Sequence, residues 1–242
     1  MKIIFLGTNG WFTTQTGNTP CVLIDSKDQY VVFDAGNGIY KLDRYITEDK
    51  PISLFISHFH IDHVSGLHCL NKFNFPKDID VYVGQGRSKD FQILVNPPFT
   101  SPKQIKLHEL KDGKNNLNFP VEVIEQFHAY KDHGYRVTLE NKVIAYSGDC
   151  GISKASLSLA KDADLLIHEC SYKTGHAPDT WGHVGPIEAA NLAKEAGAKQ
   201  LILNHFDASQ YTDFEMRKEA EKKAQEIFPN TLAATDDLII TL

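Results

Sequence analysis

His58-Phe59-His60-Ile61-Asp62-His63 is the stretch on which the reading of this chain turns. It sets three imidazoles and one carboxylate within six positions, directly after the apolar run Ile52-Ser53-Leu54-Phe55-Ile56. Neutral imidazole nitrogen and carboxylate oxygen are the ligands that zinc and similar divalent ions prefer. Four such groups in one turn at a strand end are electrostatically awkward without a cation. One run of this kind supplies part of two sites, so further donors should stand at the ends of later strands. In layered α/β folds, sites gather where strand ends meet loops. Three residues meet that condition: His128 after the run 121–126, Asp149 in Tyr146-Ser147-Gly148-Asp149, and His205 after Leu201-Ile202-Leu203-Asn204.

Working outward, β-favouring runs broken by Gly, Asn, Thr and Asp occupy 3–6, 21–25 and 30–33, and a turn follows at 34–38. Helices are expected at 39–46 and 62–70, with a buried strand at 52–57 between them and another strand at 80–84. From 85 to 104 the pattern is a long loop with one short helix. Strands return at 121–126, 135–139 and 143–147. Helix and strand then alternate: helix 153–161, strand 165–168, helix 186–196, strand 201–203, helix 212–227 and a terminal strand 238–242. This is an α/β chain with sheets inside and helices outside. Its 242 residues are read as one domain, 1–242, long enough for a sizeable core.

Composition narrows the function. Hydrophobic content of 42% and charged content of 23% are those of a soluble enzyme. A formal net charge of -6 argues against a surface built for long nucleic acids. The four cysteines, Cys21, Cys69, Cys150 and Cys170, are scattered without a C-x-x-C pair, which reads as reduced thiols. The opening apolar run is too short for a signal-peptide core. No stretch reaches the roughly 18 apolar residues of a membrane span, so a cytoplasmic protein with no membrane partner is expected.

These motifs together resemble the metallo-β-lactamase superfamily over nearly the whole chain. Phe5-Leu6-Gly7-Thr8 is similar to its opening strand and turn, Phe33-Asp34-Ala35-Gly36 to its second glycine turn, and the His58–His63 run to its signature. The resemblance implies an αββα sandwich, a four-layer fold with a dinuclear site on one edge. One ion would take His58, His60 and His128, the other Asp62, His63 and His205, with Asp149 shared. Asp62 would also count as catalytic, and a hydroxide between the ions would be the nucleophile. Zinc is the default for this thiol-free set, and manganese or iron also suits N/O ligands. Cys150, beside Asp149, is a candidate for approaching the ions.

Two further segments resemble the phosphodiesterase and ribonuclease Z branch: Leu165-Leu166-Ile167-His168-Glu169-Cys170 and Trp181-Gly182-His183-Val184-Gly185-Pro186. By that resemblance His183 faces the scissile phosphate and Glu169 orients it. An imidazole steadied by a carboxylate can protonate a leaving alkoxide. The long glycine-rich, basic arm that grips tRNA in ribonuclease Z is not visible, and Val184-Gly185 stands where that family carries small hydroxyl residues. The expected substrate is therefore a small phosphodiester, a cyclic nucleotide or a short oligonucleotide. A ribonuclease Z-like tRNA 3′ endonuclease, an acyl hydrolase and a non-catalytic ligand sensor are the alternatives. Arg87 and Lys89 are candidates for meeting a substrate phosphate, and Phe91 or Phe99 for stacking on a base. His168 is expected to pack or to support the site, and His176 and Asp179 to lie at the surface. His68, His108 and His133 are read as structural. A homodimer is implied by the resemblance alone.

Overall fold

The computed structural model describes residues 1–102, 104–176 and 180–242. Two seven-stranded sheets lie face to face. The first runs, edge to edge, Ile239–Thr241, Lys2–Gly7, Cys21–Asp25, Tyr30–Phe33, Ile52–Phe55, Ile79–Gly84 and Ile105–Leu110. The second runs Thr231–Ala233, Leu201–Asn204, Leu165–Glu169, Lys142–Tyr146, Asp132–Leu139, Pro120–Gln126 and Gly113–Asn116. Helices cover both outer faces, so the layers are α, β, β, α, as the sequence leads one to expect.

The sequence of each inner strand explains this layering. In a strand, alternate side chains point to opposite faces. Ile3 and Phe5 pack between the sheets, while Ile4 and Leu6 pack under the outer helices. Val31 and Phe33 face inward in the same way, and Tyr30 and Val32 outward. Both faces are apolar because both are covered, which is the pattern of a strand buried in a parallel or mixed sheet. Between the sheets an aromatic layer forms. Phe33 stacks on Tyr146 at 4.8 Å, and Phe55 meets Tyr135 at 5.1 Å. Each such pair contributes about 0.5–1.5 kcal/mol beyond area burial. Their phenol tips are satisfied: Tyr135 donates to the carbonyl of Ile56 and Tyr146 to the Asp34 carboxylate.

Local details depart from the sequence reading where tertiary packing overrides periodicity. The helix expected at 39–46 is a 3-10 helix, Asn37–Arg44. That expected at 62–70 is one α-turn, Ile61–Val64, continued as the 3-10 helix Ser65–Lys72. Gly66 sits there so close to the Gly36 carbonyl that an added Cβ would lie 2.2 Å from it. The 85–104 segment holds the helix Ser88–Val95. The strands Ile105–Leu110, Gly113–Asn116 and Thr231–Ala233 are additions. All three sit at sheet edges, where half-exposed and polar residues blur the apolar pattern. The last helix starts at Phe214, because Asp213 caps it by accepting the Met216 N–H at 2.9 Å. All four cysteines are free thiols. Among the described residues no helix is long and apolar enough to cross a membrane.

Topology decides where a site can form. Strands Tyr30–Phe33, Ile52–Phe55 and Ile79–Gly84 are parallel, as are Lys142–Tyr146, Leu165–Glu169 and Leu201–Asn204. The carboxyl ends of both parallel sets reach one rim of the sandwich, above the aromatic layer. At strand ends the chain leaves the ladder and its side chains are released for chemistry.

Candidate metal centre

At that rim the loops after several strands converge. His58, His60, His128 and Asp149 bring one ligand atom each within 4.8 Å of one another, and so do Asp62, His63 and His205. All seven residues singled out in the sequence meet at this place. Asp149 joins the two groups, with Oδ1 3.3 Å from both His63 Nε2 and His205 Nε2, and Oδ2 3.6 Å from His58 Nε2.

The hydrogen bonds behind the cluster orient every ring that has one. His58 Nδ1 donates to Asp132 at 2.7 Å, and His63 Nδ1 to Asp34 at 2.8 Å. His128 Nδ1 donates to the Tyr130 carbonyl at 3.1 Å, and His205 Nδ1 to the Ser171 hydroxyl at 2.9 Å. With Nδ1 protonated in each, the Nε2 lone pairs point into the cluster. His63 Nε2 and His205 Nε2 face each other at 3.0 Å, two lone pairs that repel unless a cation lies between them or one takes a proton. His58 Nε2, His128 Nε2 and Asp149 Oδ1 are buried without a hydrogen-bond partner. Buried polar atoms are normally satisfied, so these orphans fit a pair of divalent ions.

Electrostatics agree. Burial depresses His58, and burial with neighbouring histidines brings His60 down to about 4, so both are neutral at pH 7, the form that can bind a cation. Burial opposes ionisation of Asp149, yet His205 and His63 hold it well below the usual carboxylate range. Burial likewise opposes charge on His63, but Asp149, Asp62 and Asp34 raise it well above an ordinary imidazole. The pocket therefore attracts positive charge.

Beside the cluster, Glu169 Oε1 accepts from His183 Nδ1 at 2.8 Å. The carboxylate is fixed by backbone N–H groups of Cys150 at 3.1 Å and Ser171 at 2.9 Å. Burial works against its charge, and His183 more than compensates, lowering its pKa. His183 lines a cavity of about 320 Å³ together with His60, Asp62, Asp149 and His205.

Other expected residues lie elsewhere. The Arg87 guanidinium pairs with Asp90 at 3.2 Å and lies over the Phe59 ring at 5.2 Å. Lys89 and Phe99 are exposed, and Phe91 is buried in the core beneath the outer helices. Arg87, Lys89 and Phe99 do not line the cavity at the cluster, because the helix Ser88–Val95 carries that segment against the core through Phe91. Cys150 is not one of the clustered donors: its thiol lies 3.5 Å from His168 Nε2, and burial raises its pKa. His168 Nδ1 donates to the Glu169 carbonyl, so His168 props the strand end. His108 is bonded to Asp80, and His176 is exposed; Asp179 lies outside the described residues.

Sequence reading did not pick out Asp34, Asp132 or Ser171 as supports, nor Trp11, Tyr130 and Trp181 at the cavity mouth. The turn Phe33-Asp34-Ala35-Gly36 was a usable signal for the first. The others depend on chain segments meeting in space.

A family model described as Beta-lactamase superfamily domain matches residues 29–206. The chain is 27% identical over 234 residues to the probable metallo-hydrolase YhfI of Bacillus subtilis, covering 91% of this chain and 93% of that protein. It is 28% identical over 302 aligned positions to ribonuclease Z of Methanosarcina acetivorans, covering 98% and 96%. The crystal structure of YhfI superposes with a TM-score of 0.84 at 23% identity, covering 99% of both chains. Human tRNase Z, short form, superposes with a TM-score of 0.78 at 23% identity, covering 100% of this chain and 99% of that one.

Proposed function

The chain belongs to the beta-lactamase superfamily and is a metallo-hydrolase, and on that footing we propose that it hydrolyses a small phosphodiester, a short oligonucleotide or a cyclic nucleotide. The observation that carries this reading is the bond from His183 Nδ1 to Glu169, 2.8 Å, in the wall of the cavity that holds the donor cluster. We assign His58, His60 and His128 to one ion and Asp62, His63 and His205 to another, with Asp149 shared; zinc suits this set best. Two divalent ions held there supply positive charge that neutralises a phosphate and lowers the pKa of water.

The chain's own residues do the rest. Glu169 stabilises the doubly protonated ring of His183. As the ester P–O bond breaks, His183 Nε2 gives its proton to the leaving oxygen and keeps Nδ1–H on Glu169. Asp34, Asp132 and Ser171 hold the ligand rings in one tautomer throughout.

A ribonuclease Z-like endonuclease is the second reading, favoured by the name of the M. acetivorans relative. That alignment runs over 302 positions although this chain has 242 residues, so the relative carries inserted segments that this chain does not match. The alignment with YhfI runs over 234. The net charge of -6 also supports a small substrate over a folded RNA.

The test is turnover of zinc-loaded protein on bis(p-nitrophenyl) phosphate beside an activated thioester and a lactone, with a chelated control. Chelator-sensitive phosphodiester cleavage well above the acyl substrates is expected. On a dinucleotide, whose alkoxide leaving group needs a proton, His183→Ala should retain metal and lose about 10²–10⁴ in kcat, while His63→Ala should lose metal and activity together. Acyl cleavage with an inert phosphodiester, or full turnover of the dinucleotide by His183→Ala, overturns the reading.

A further inference from the structure

Both tryptophans of the chain, Trp11 and Trp181, stand at the mouth of the cluster cavity. Their ring centroids are 6.4 Å apart, and Tyr130 lies 6.4 Å from Trp181. Tyr130 also meets the edge of His60 at 5.0 Å. The three rings come from loops distant in sequence, yet they gather and stay open: Trp11 is 52% exposed, Tyr130 60% and Trp181 43%. Large aromatic groups are usually covered, and an exposed cluster beside a polar site marks a binding surface. Trp11 has φ 70°, a backbone conformation that bulky side chains avoid. Its N–H donates to Asp62 Oδ2 at 2.8 Å, which fixes the Trp11 backbone to the donor cluster. A strained residue held in place at a site is a sign of use.

We propose that Trp11, Tyr130 and Trp181 form an aromatic clamp that stacks a nucleobase on the arm of the diester that stays with phosphorus. This rests on the phosphodiesterase reading. In an in-line displacement the attacking and leaving oxygens lie opposite one another. His183 protonates the leaving oxygen, so the leaving alcohol departs on the His183 side. His183 also lines a second cavity of about 250 Å³, with Phe127, Ile152, Tyr172 and Lys173. That is smaller than the roughly 300–1,000 Å³ of drug-sized sites, room for one ring-sized group. The leaving arm takes this cavity and the retained arm takes the aromatic mouth. A cyclic diester ties both arms to one sugar and cannot fill both cavities, so the clamp selects an acyclic diester. Water oxygen bonds to phosphorus, the ester P–O bond breaks, and the His183 proton goes to the departing alcohol; one water proton stays on the nucleoside monophosphate and the other passes through solvent to restore His183.

Because the only two tryptophans are in the clamp, intrinsic fluorescence reports on it directly. Zinc-loaded protein is titrated with thymidine 5′-monophosphate and, separately, ribose 5-phosphate. Saturable quenching by the nucleotide and none by the sugar phosphate is expected. An equal response to both, or none to either, overturns the clamp. In parallel, kcat/KM for thymidine 5′-(p-nitrophenyl phosphate) is divided by that for ethyl p-nitrophenyl phosphate. Stacking of one base predicts that Trp11→Ala lowers this ratio about tenfold or more, and that Trp11→Phe recovers most of it. An unchanged ratio in Trp11→Ala and Trp181→Ala refutes the clamp while the phosphodiesterase reading stands. Saturable quenching without cleavage of either ester supports the clamp and refutes phosphodiester hydrolysis.

Discussion

Asp34→Asn separates charge from shape at the support of His63. Asp34 is fully buried with φ 60°, a conformation that Asn tolerates nearly as well as Asp. The substitution therefore leaves the backbone in place. Asp34 Oδ2 accepts from His63 Nδ1 at 2.8 Å, the Ser57 hydroxyl at 2.9 Å and the Tyr146 phenol at 2.6 Å. Oδ1 accepts from the Ser57 N–H at 2.8 Å. An amide keeps one acceptor oxygen and turns an NH₂ group toward a donor, wherever it is flipped. At least one charge-assisted bond is lost, worth about 1.5–3 kcal/mol of folding stability. The negative charge that raises the basicity of His63 Nε2 is lost too. Removing such a support typically weakens metal affinity 10–100-fold, about 1.4–2.8 kcal/mol. Chelator competition reads the affinity, and urea unfolding with and without zinc reads the stability. Zinc-dependent stabilisation should shrink by the same 1.4–2.8 kcal/mol as the affinity does. Wild-type zinc affinity in a destabilised Asp34→Asn protein would refute the reasoning and make Asp34 a packing residue only.

Other consequences are as direct. Glu169→Gln should lower kcat rather than raise KM, by less than the about 10²–10⁴ expected of removing His183, with metal content unchanged; an unaltered pH profile and kcat would show that Glu169 does not act through His183. Gly10→Ala places a Cβ 2.6 Å from His205 Cε1, so the ring must shift and zinc affinity, measured by chelator competition, should fall; wild-type affinity would mean that the site yields without cost. Asp164 accepts from Lys199 at 2.8 Å and from the Val143 N–H at 2.9 Å. Burial acts against its charge, but these bonds bring its pKa down to about 2. Because the folded-state value lies below the unfolded one, about 3.9, its contribution is fully present above that pH and is lost as pH falls through about 2. Asp164→Asn should cost about 1 kcal/mol at pH 7, after allowing for exposed lysine partners, and nothing below pH 2; an equal loss at both values would exclude the charge as its source.

Much of the architecture is written in local sequence because strand and helix periods follow from backbone geometry. The apolar stretch Ile3–Leu6, and the run Ile52–Ile56 with only Ser53 polar, already tell of covered sheets. The capped helix Pro186–Ala196 is visible as Pro at its start and Glu188, whose carboxylate accepts the Gly185 N–H. Edge strands carry a weaker pattern, since Ile105–Leu110 and Gly113–Asn116 mix exposed and half-buried residues and bury only Leu110 fully. Their pairing comes from neighbours distant in sequence, not from their own apolar content.

The donor cluster divides in the same way. The sequence by itself determined the chemical types and their placement at strand ends, because a six-residue run with four donors has few other uses. The same argument reached His128, Asp149 and His205 through the strands that precede them. Only the tertiary structure decided which atoms face inward. Asp34, Asp132 and Ser171 set the ring tautomers from other segments, and the helix Ser88–Val95 turns Phe91 into the core and keeps Lys89 and Phe99 from the cavity. Trp11, Tyr130 and Trp181 lie more than a hundred residues apart along the chain at their extremes, and only the packing of two sheets brings them to one mouth. Ligand type is a property of each side chain, whereas orientation, burial and partner choice are properties of the space between segments, which no local pattern encodes.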